Sequence, residues 1–146
     1  MVLSARRGML VRQESTVDSR GKGTDPMDEM NERLQAAVPE DLGRFFIERA
    51  NSGDVEGLVA LYESGAVLAL SEGGTVTGVD AIRQFYEQLL ANKPTFAPGS
   101  PRPALRNGDW ALTSTRIPAG ATTELAHRQP NGTWLWTIDQ PNVLGD

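Results

Sequence analysis

An α+β fold is what this chain of 146 residues predicts, and three observations carry the prediction. Apolar residues between Leu42 and Leu90 recur at helical spacing in three stretches. Beyond residue 93 the pattern changes to β-rich runs, divided by the turn signals Pro118-Ala119-Gly120 and Pro130-Asn131-Gly132. Helices first and long strands after them is the order of an α+β domain, not of alternating βαβ units.

Residues 1–24 lack periodicity and mix Arg, Ser, Gly and Thr, which predicts a disordered tail. Asp25-Pro26 is an N-cap and N1 pair for a short helix over 26–37, so a helical segment 25–38 precedes the domain proper, 39–146. Met27 and Met30 lie at its start and offer later translation starts. Leu42, Phe45, Phe46 and Ala50 then form one apolar stripe, predicting a helix over 40–51. Gly53 lets the chain turn, and Asp54 offers its carboxylate to the free N–H groups of the next helix. Val55, Leu58, Val59 and Tyr62 repeat the stripe, which extends that helix over 54–63.

A strand is expected over 66–70, turned by Glu72-Gly73-Gly74-Thr75 into a partner at Val76-Thr77. Ile82, Phe85, Tyr86, Leu89 and Leu90 mark a third helix, 79–91. Four prolines within 94–105 confine any pairing there to interrupted or edge strands. The runs 109–117, 121–129 and 133–140 are expected to be consecutive antiparallel strands.

Length bounds the chain to one domain. The absence of cysteine excludes disulfides, a thiol nucleophile and thiolate metal sites. A lone histidine, His127, excludes multi-histidine metal sites and argues against a Ser-His-Asp triad. The net charge of −5 falls wholly beyond residue 35, so the folded part is acidic and suits neither nucleic acid nor an anionic membrane surface. Gly8 to Val11, between Arg7 and Arg12, is too short for a secretory core of about 7–15 apolar residues, and a cytoplasmic location is expected.

Alternation in the last strand leaves two readings. Trp134, Trp136 and Ile138 share one face, and Leu135, Thr137 and Asp139 share the other. Either the tryptophan face enters the core and Asp139 meets water, or Thr137 and Asp139 face a cavity and the tryptophans need a partner surface.

The order of Phe45-Phe46 … Asn51-Ser52-Gly53-Asp54 … Tyr62, a short strand, Gly78-Val79-Asp80-Ala81-Ile82, and Asn131-Gly132-Thr133-Trp134-Leu135-Trp136 resembles the nuclear transport factor 2-like superfamily. The likeness is to its SnoaL-like and ketosteroid-isomerase-like branches, over roughly residues 40 to 140. It implies a curved antiparallel sheet wrapped around three helices, a cone or cystatin-like roll with a pocket at its wide end. It favours the second reading of the last strand: Leu135, Thr137 and Asp139 match pocket-lining positions, as do Glu124, Ala126 and Arg128, with Ala111, Thr113, Thr115 and Ile117 beside them. Trp110, Leu112, Trp134, Trp136 and Ile138 are then left on the convex face, where a second copy of the chain would cover them as a homodimer.

Ketosteroid isomerase uses a general-base Asp and an oxyanion hole of a Tyr and a protonated Asp. The resemblance places Phe46, Leu70 and Ala126 at those three positions, and none can move a proton, so steroid isomerisation is not expected. Phe46 and Leu70 become lining residues for a ligand. Tyr62 and Tyr86 fall at auxiliary tyrosine positions, although aromatic residues at such spacing are mostly core. SnoaL-like cyclases carry a functional acid on a late strand, which points to Asp139 as general acid/base; burial would raise its pKa towards neutrality as that work requires. The bland alternatives are an Arg128–Asp139 ion pair or an exposed strand-end acid.

Thr115 and Thr137 would orient the ligand, and Glu124 and Arg128, four apart, would grip it or pair with neighbouring charges. His127 should point out of the pocket. The implied function is a small-molecule-binding protein, possible in two forms: a cofactor-independent isomerase, cyclase or hydratase on a hydrophobic substrate, or a non-catalytic dimeric ligand-binding or interaction module.

Overall fold

The computed structural model describes residues 33–144, so the expected tail 1–24 and most of the helix expected over 26–37 lie outside the described residues. Residues 34–38, the end of that segment, are not helical: Ala36 bridges to Trp134 and is buried. Helix α1 (Glu40–Asn51) follows, its start held by the Asp41 carboxylate, which accepts from the N–H groups of Ala37 and Val38 at 3.1 and 3.4 Å. Gly53 turns the chain with a φ of 72°, and Asp54 caps α2 (Val55–Val59) by accepting from Gly57 N at 3.0 Å, as the sequence suggests.

The second helix stops earlier than the apolar stripe implies. Its last turn closes with Leu61 N–H on the Leu58 carbonyl, and Trp136 N–H then takes the Leu61 carbonyl at 2.8 Å, so Tyr62 opens a strand. Sheet pairing overrides a spacing that fits helix equally well. Strand β1 (Tyr62–Ala69) turns through Leu70 and Gly74 into β2 (Thr75–Thr77), and α3 (Val79–Leu90) crosses behind them. The proline-rich stretch gives only β3 (Ser100–Pro101) and β4 (Leu105–Asn107), both at the edge against β5 (Trp110–Ile117). Strands β6 (Gly120–Arg128) and β7 (Trp134–Gln140) complete an order of β2-β1-β7-β6-β5-β3.

Strands β5, β6 and β7 are consecutive and antiparallel, as expected. The sheet is nevertheless mixed, because β1 lies parallel to β7. The three helices pack on its inner face, where Leu42, Leu58, Leu68 and Ile82 are fully buried.

One irregularity decides which side chains face inward. Leu125 pairs with Ile138 but the next residue, Ala126, pairs with Trp136, so Thr137 is an extra residue in β7. Alternation inverts across this bulge. Trp134, Trp136 and Asp139 are therefore all buried, at 4, 3 and 5% exposure. Neither reading from strict alternation holds: Trp134 and Trp136 leave the convex face for the core, while Trp110, Leu112 and Ile138 remain exposed as expected.

At the open end Asn51 and Phe96 exchange two hydrogen bonds, Nδ2 to the Phe96 carbonyl at 3.0 Å and Phe96 N–H to Oδ1 at 2.7 Å. Among the described residues no helix is long and apolar enough to cross a membrane.

The cap on α2 gives a direct check. A Cβ at position 57 would lie 2.2 Å from Asp54 Oδ2, so Gly57→Ala displaces the capping carboxylate. Urea denaturation should show Asp54→Ala and Gly57→Ala each destabilised by about 1 kcal/mol, the usual worth of a cap.

Candidate active site

Five buried polar side chains meet on the inner face of the sheet, three of them on neighbouring strands. Thr113 of β5 pairs in register with Glu124 of β6, and Glu124 pairs with Asp139 of β7. All three are buried, and β1 and α3 bring Tyr62 and Tyr86 against them.

The direction of each hydrogen bond follows from the donors available. Tyr62 donates to Asp139 Oδ2 at 2.5 Å, so the 2.7 Å contact between the two tyrosine oxygens is Tyr86 donating to Tyr62. On the other side the Trp136 indole N–H donates to Thr113 Oγ1 at 3.2 Å, and Thr113 donates to Glu124 Oε1 at 2.5 Å. Two donor chains thus end on two facing carboxylates. Among the described residues nothing donates to Asp139 Oδ1. Thr122, the next inward residue of β6, lies beside Glu124 with its buried hydroxyl free of any well-aligned partner.

No buried cation offsets these acids among the described residues. Burial pushes Asp139 up to about 6, with the Tyr62 hydrogen bond pulling the other way. Burial and then the charge of Asp139 push Glu124 up to about 7, against the Thr113 hydrogen bond. Both tyrosines are raised by burial first and by Asp139 second, so they stay protonated donors. Burial therefore raises both carboxyl groups towards neutrality.

Phe46 adjoins this network, its ring 6.2 Å from Tyr86, 6.4 Å from Trp136 and 5.8 Å from Phe96. Leu70 sits beyond the end of β1 in the turn to β2, half-buried, and Ala126 is buried on the face of Glu124. The structure therefore unites Asp139, Tyr62, Tyr86 and Glu124, with Phe46 against them.

Besides Leu70, three expected site residues lie elsewhere. Arg128, on the inward parity but at the strand's open end, is exposed and holds Asp109 at 2.7 Å, so it neither grips the interior nor pairs with Asp139. The bulge turns Thr137 to the opposite face, where it hydrogen-bonds Glu63. Thr115 is half-buried one step further along β5, with no hydrogen bond to the network among the described residues. His127 points outward as expected, stacked on Trp110 at 4.1 Å and bonded to Glu63 at 2.6 Å. Burial would raise Glu63, but hydrogen bonds from Gln129, His127 and Thr137 outweigh it and lower its pKa.

Sequence reasoning missed the pairing of Glu124 with Asp139. The signal was present, since a hairpin turning at Asn131-Gly132 brings those strands together, but the bulge shifts the register between them. Among the described residues no cluster of three or more His, Asp or Glu side chains is set to hold a metal.

With this geometry in hand, the comparisons with known proteins fall into place. The sequence profile of the SnoaL-like domain matches residues 43–140, and the chain belongs to that family. No curated protein sequence matches it. The fold is similar to a ketosteroid isomerase-like protein from Erwinia carotovora atroseptica, 18% identical with a TM-score of 0.59, covering 70% of this chain and 91% of the other. It is also similar to a nuclear transport factor 2-like protein of unknown function from Shewanella oneidensis, 19% identical with a TM-score of 0.53, covering 68% and 91%. A candidate dehydratase of the same fold from Streptomyces avermitilis is 15% identical with a TM-score of 0.55, covering 67% and 88%. These likenesses establish a nuclear transport factor 2-like fold of the SnoaL-like branch.

The raised pKa values fix the sign of a pH effect. The folded state binds these protons more tightly than the unfolded chain, so the stability they add is full below about pH 4 and lost as pH rises through 6 to 7. Denaturant midpoints should therefore fall over that window in the wild type. The fall should be smaller in the double variant Glu124→Gln, Asp139→Asn; equal slopes would show that neither group titrates in the window.

Proposed function

We propose that the interior site performs cofactor-free acid–base chemistry on a small, neutral, largely apolar molecule bearing a carbonyl or hydroxyl group. The single observation behind this reading is the buried Glu124–Asp139 pair, which carries one exchangeable proton near neutral pH and no neighbouring cation among the described residues. An anionic ligand would be repelled there; a neutral oxygenated one finds donors and acceptors together. In this reading Asp139, held by Tyr62, removes a proton from carbon next to a carbonyl. Glu124 gives its proton to the carbonyl oxygen; the enol oxygen then returns that proton to Glu124 as the carbonyl re-forms, and Asp139 delivers the proton it took either to another carbon, an isomerisation, or to a β-hydroxyl that leaves as water. The family and the Erwinia and Streptomyces relatives are consistent with it.

A specific observation favours a second reading, a non-catalytic ligand-binding or interaction module. The rings of Phe46, Phe96 and Trp136 pack against the tyrosine pair, and the two tyrosines satisfy each other and Asp139. We place the protein in the cytoplasm in either case. A homodimer through the convex face is also part of the proposal, supported by exposed Trp110, Leu112 and Ile138, a smaller patch than the sequence suggests; such a dimer competes with any ligand that needs Leu112 open. A monomer in sedimentation at micromolar concentration would remove it.

A panel of neutral hydroxyketones and β-hydroxycarbonyl compounds tests the chemistry. Asp139→Asn should lower turnover by roughly 10²–10⁴ with folding retained, and Tyr86→Phe should cost less because only one hydrogen bond is lost. Turnover that survives Asp139→Asn would sink the acid–base reading; binding without turnover would favour the module. Steroid isomerisation should be absent, given Phe46, Leu70 and Ala126.

A further inference from the structure

A concavity lies on the opposite, convex face of the sheet. It measures about 500 Å³ and is walled by Leu105, Leu112 and Leu144, with Arg102 and Arg116 at its polar side. That volume is within the roughly 300–1,000 Å³ of small-molecule sites. The wall formed by Leu144 is a built feature. Val143 N–H bonds the Ala121 carbonyl at 2.8 Å, and Asn142 Oδ1 accepts from Leu144 N–H at 3.1 Å, so the chain end is tied over the β5–β6 hairpin. Gly120 leaves the room for this, since a Cβ there would lie 2.2 Å from Asn142 Oδ1.

The two arginines stand out against the rest of the chain. Arg44, Arg83, Arg106 and Arg128 each hold a carboxylate, and Arg49 holds the carbonyls of Gly57 and Leu34. Arg102 and Arg116 have no partner among the described residues. Arg116 pairs in register with Ser100, and Arg102 N–H takes the Ser114 carbonyl at 2.9 Å, so the two side chains leave one sheet face as diagonal neighbours. Such neighbours stand about 7–8 Å apart, close enough for two guanidinium forks to converge on one anion. Beside them the apolar surface is wet: Leu105 and Leu144 are 70 and 73% exposed. Among the described residues, Arg102 and Arg116 thus lie without a carboxylate partner next to exposed leucine.

We propose that this groove binds an aliphatic carboxylate, with Arg102 and Arg116 on the carboxylate and the leucine wall along a medium-length chain. The inference is independent of the interior site. It goes beyond that reading, because the interior repels the anion that this face attracts.

Octanoate is the probe, followed by methyl and backbone NMR of the full chain, with acetate, octan-1-ol and octylammonium as controls. Saturable shifts at Leu105, Leu112 and Leu144 with a Kd at or below about 1 mM are expected for octanoate alone. Arg102→Gln and Arg116→Gln should each weaken binding by about tenfold, the loss of one charge-assisted pair, with an unchanged circular dichroism spectrum. Because both side chains are on the surface, these variants should fold. Equal binding of octan-1-ol, shifts confined to Tyr62 and Tyr86, no saturation, or undiminished affinity in the double arginine variant would each overturn the proposal.

Discussion

Thr137, the extra residue in β7, is the constraint on which the site depends. Without the bulge, with Thr137 paired as an ordinary strand residue, a strand carrying Trp136 inward would carry Asp139 outward, because side chains alternate strictly along a regular strand. With it, the indole and the carboxylate enter the same interior. Trp136 then supplies the N–H that orders Thr113, and Asp139 becomes the acceptor that orders both tyrosines. The neighbouring strand accommodates the irregularity: between its pairings at Trp136 and Ile138, β1 advances from Tyr62 to Val67. One bulge thus brings the donor and the acid into the same interior.

Holding two carboxylates side by side away from water opposes folding, and no charged partner offsets it among the described residues. Hydrogen-bond donors from four different elements offset part of that cost, and burial shifts both acids towards their neutral forms. Apolar packing of Leu42, Leu58, Leu68 and Ile82 around the network supplies the stability against which such a site can be kept. Buried acid groups with raised pKa values are over-represented at functional sites in general.

Much of this architecture was legible in the residues. The stripes of α1 and α3, the Asp54 cap, the edge position of the proline-rich stretch and the three-strand meander follow from local periodicity and turn chemistry. Asp139, Tyr62, Tyr86 and Glu124 were legible as candidates as well. What escaped was set by distant partners. Tyr62 fits a helical stripe, and only its pairing with Trp136 makes it a strand residue. The inward turn of Trp134 and Trp136, and the outward turn of Thr137, come from a register shift that alternation cannot reveal. Arg128 has the right parity for the interior, but it is the exposed last residue of its strand and finds Asp109 instead.

The exchange between Asn51 and Phe96 has a consequence for what the chain can tolerate. A side-chain amide here does what a strand edge does, giving and taking one hydrogen bond with the same backbone unit. Aspartate keeps the length but offers only acceptors, serine is too short to reach both groups, and glutamine is a methylene too long. Position 51 is therefore chemically singular although it lies on the surface, and hydrolysis of its amide to a carboxylate during ageing would set like dipoles against the Phe96 carbonyl. Loss of that one nitrogen would remove one of the two ties on the segment that places Phe96 against Phe46, so a slow covalent change at the surface reaches the aromatic residues packed on the core.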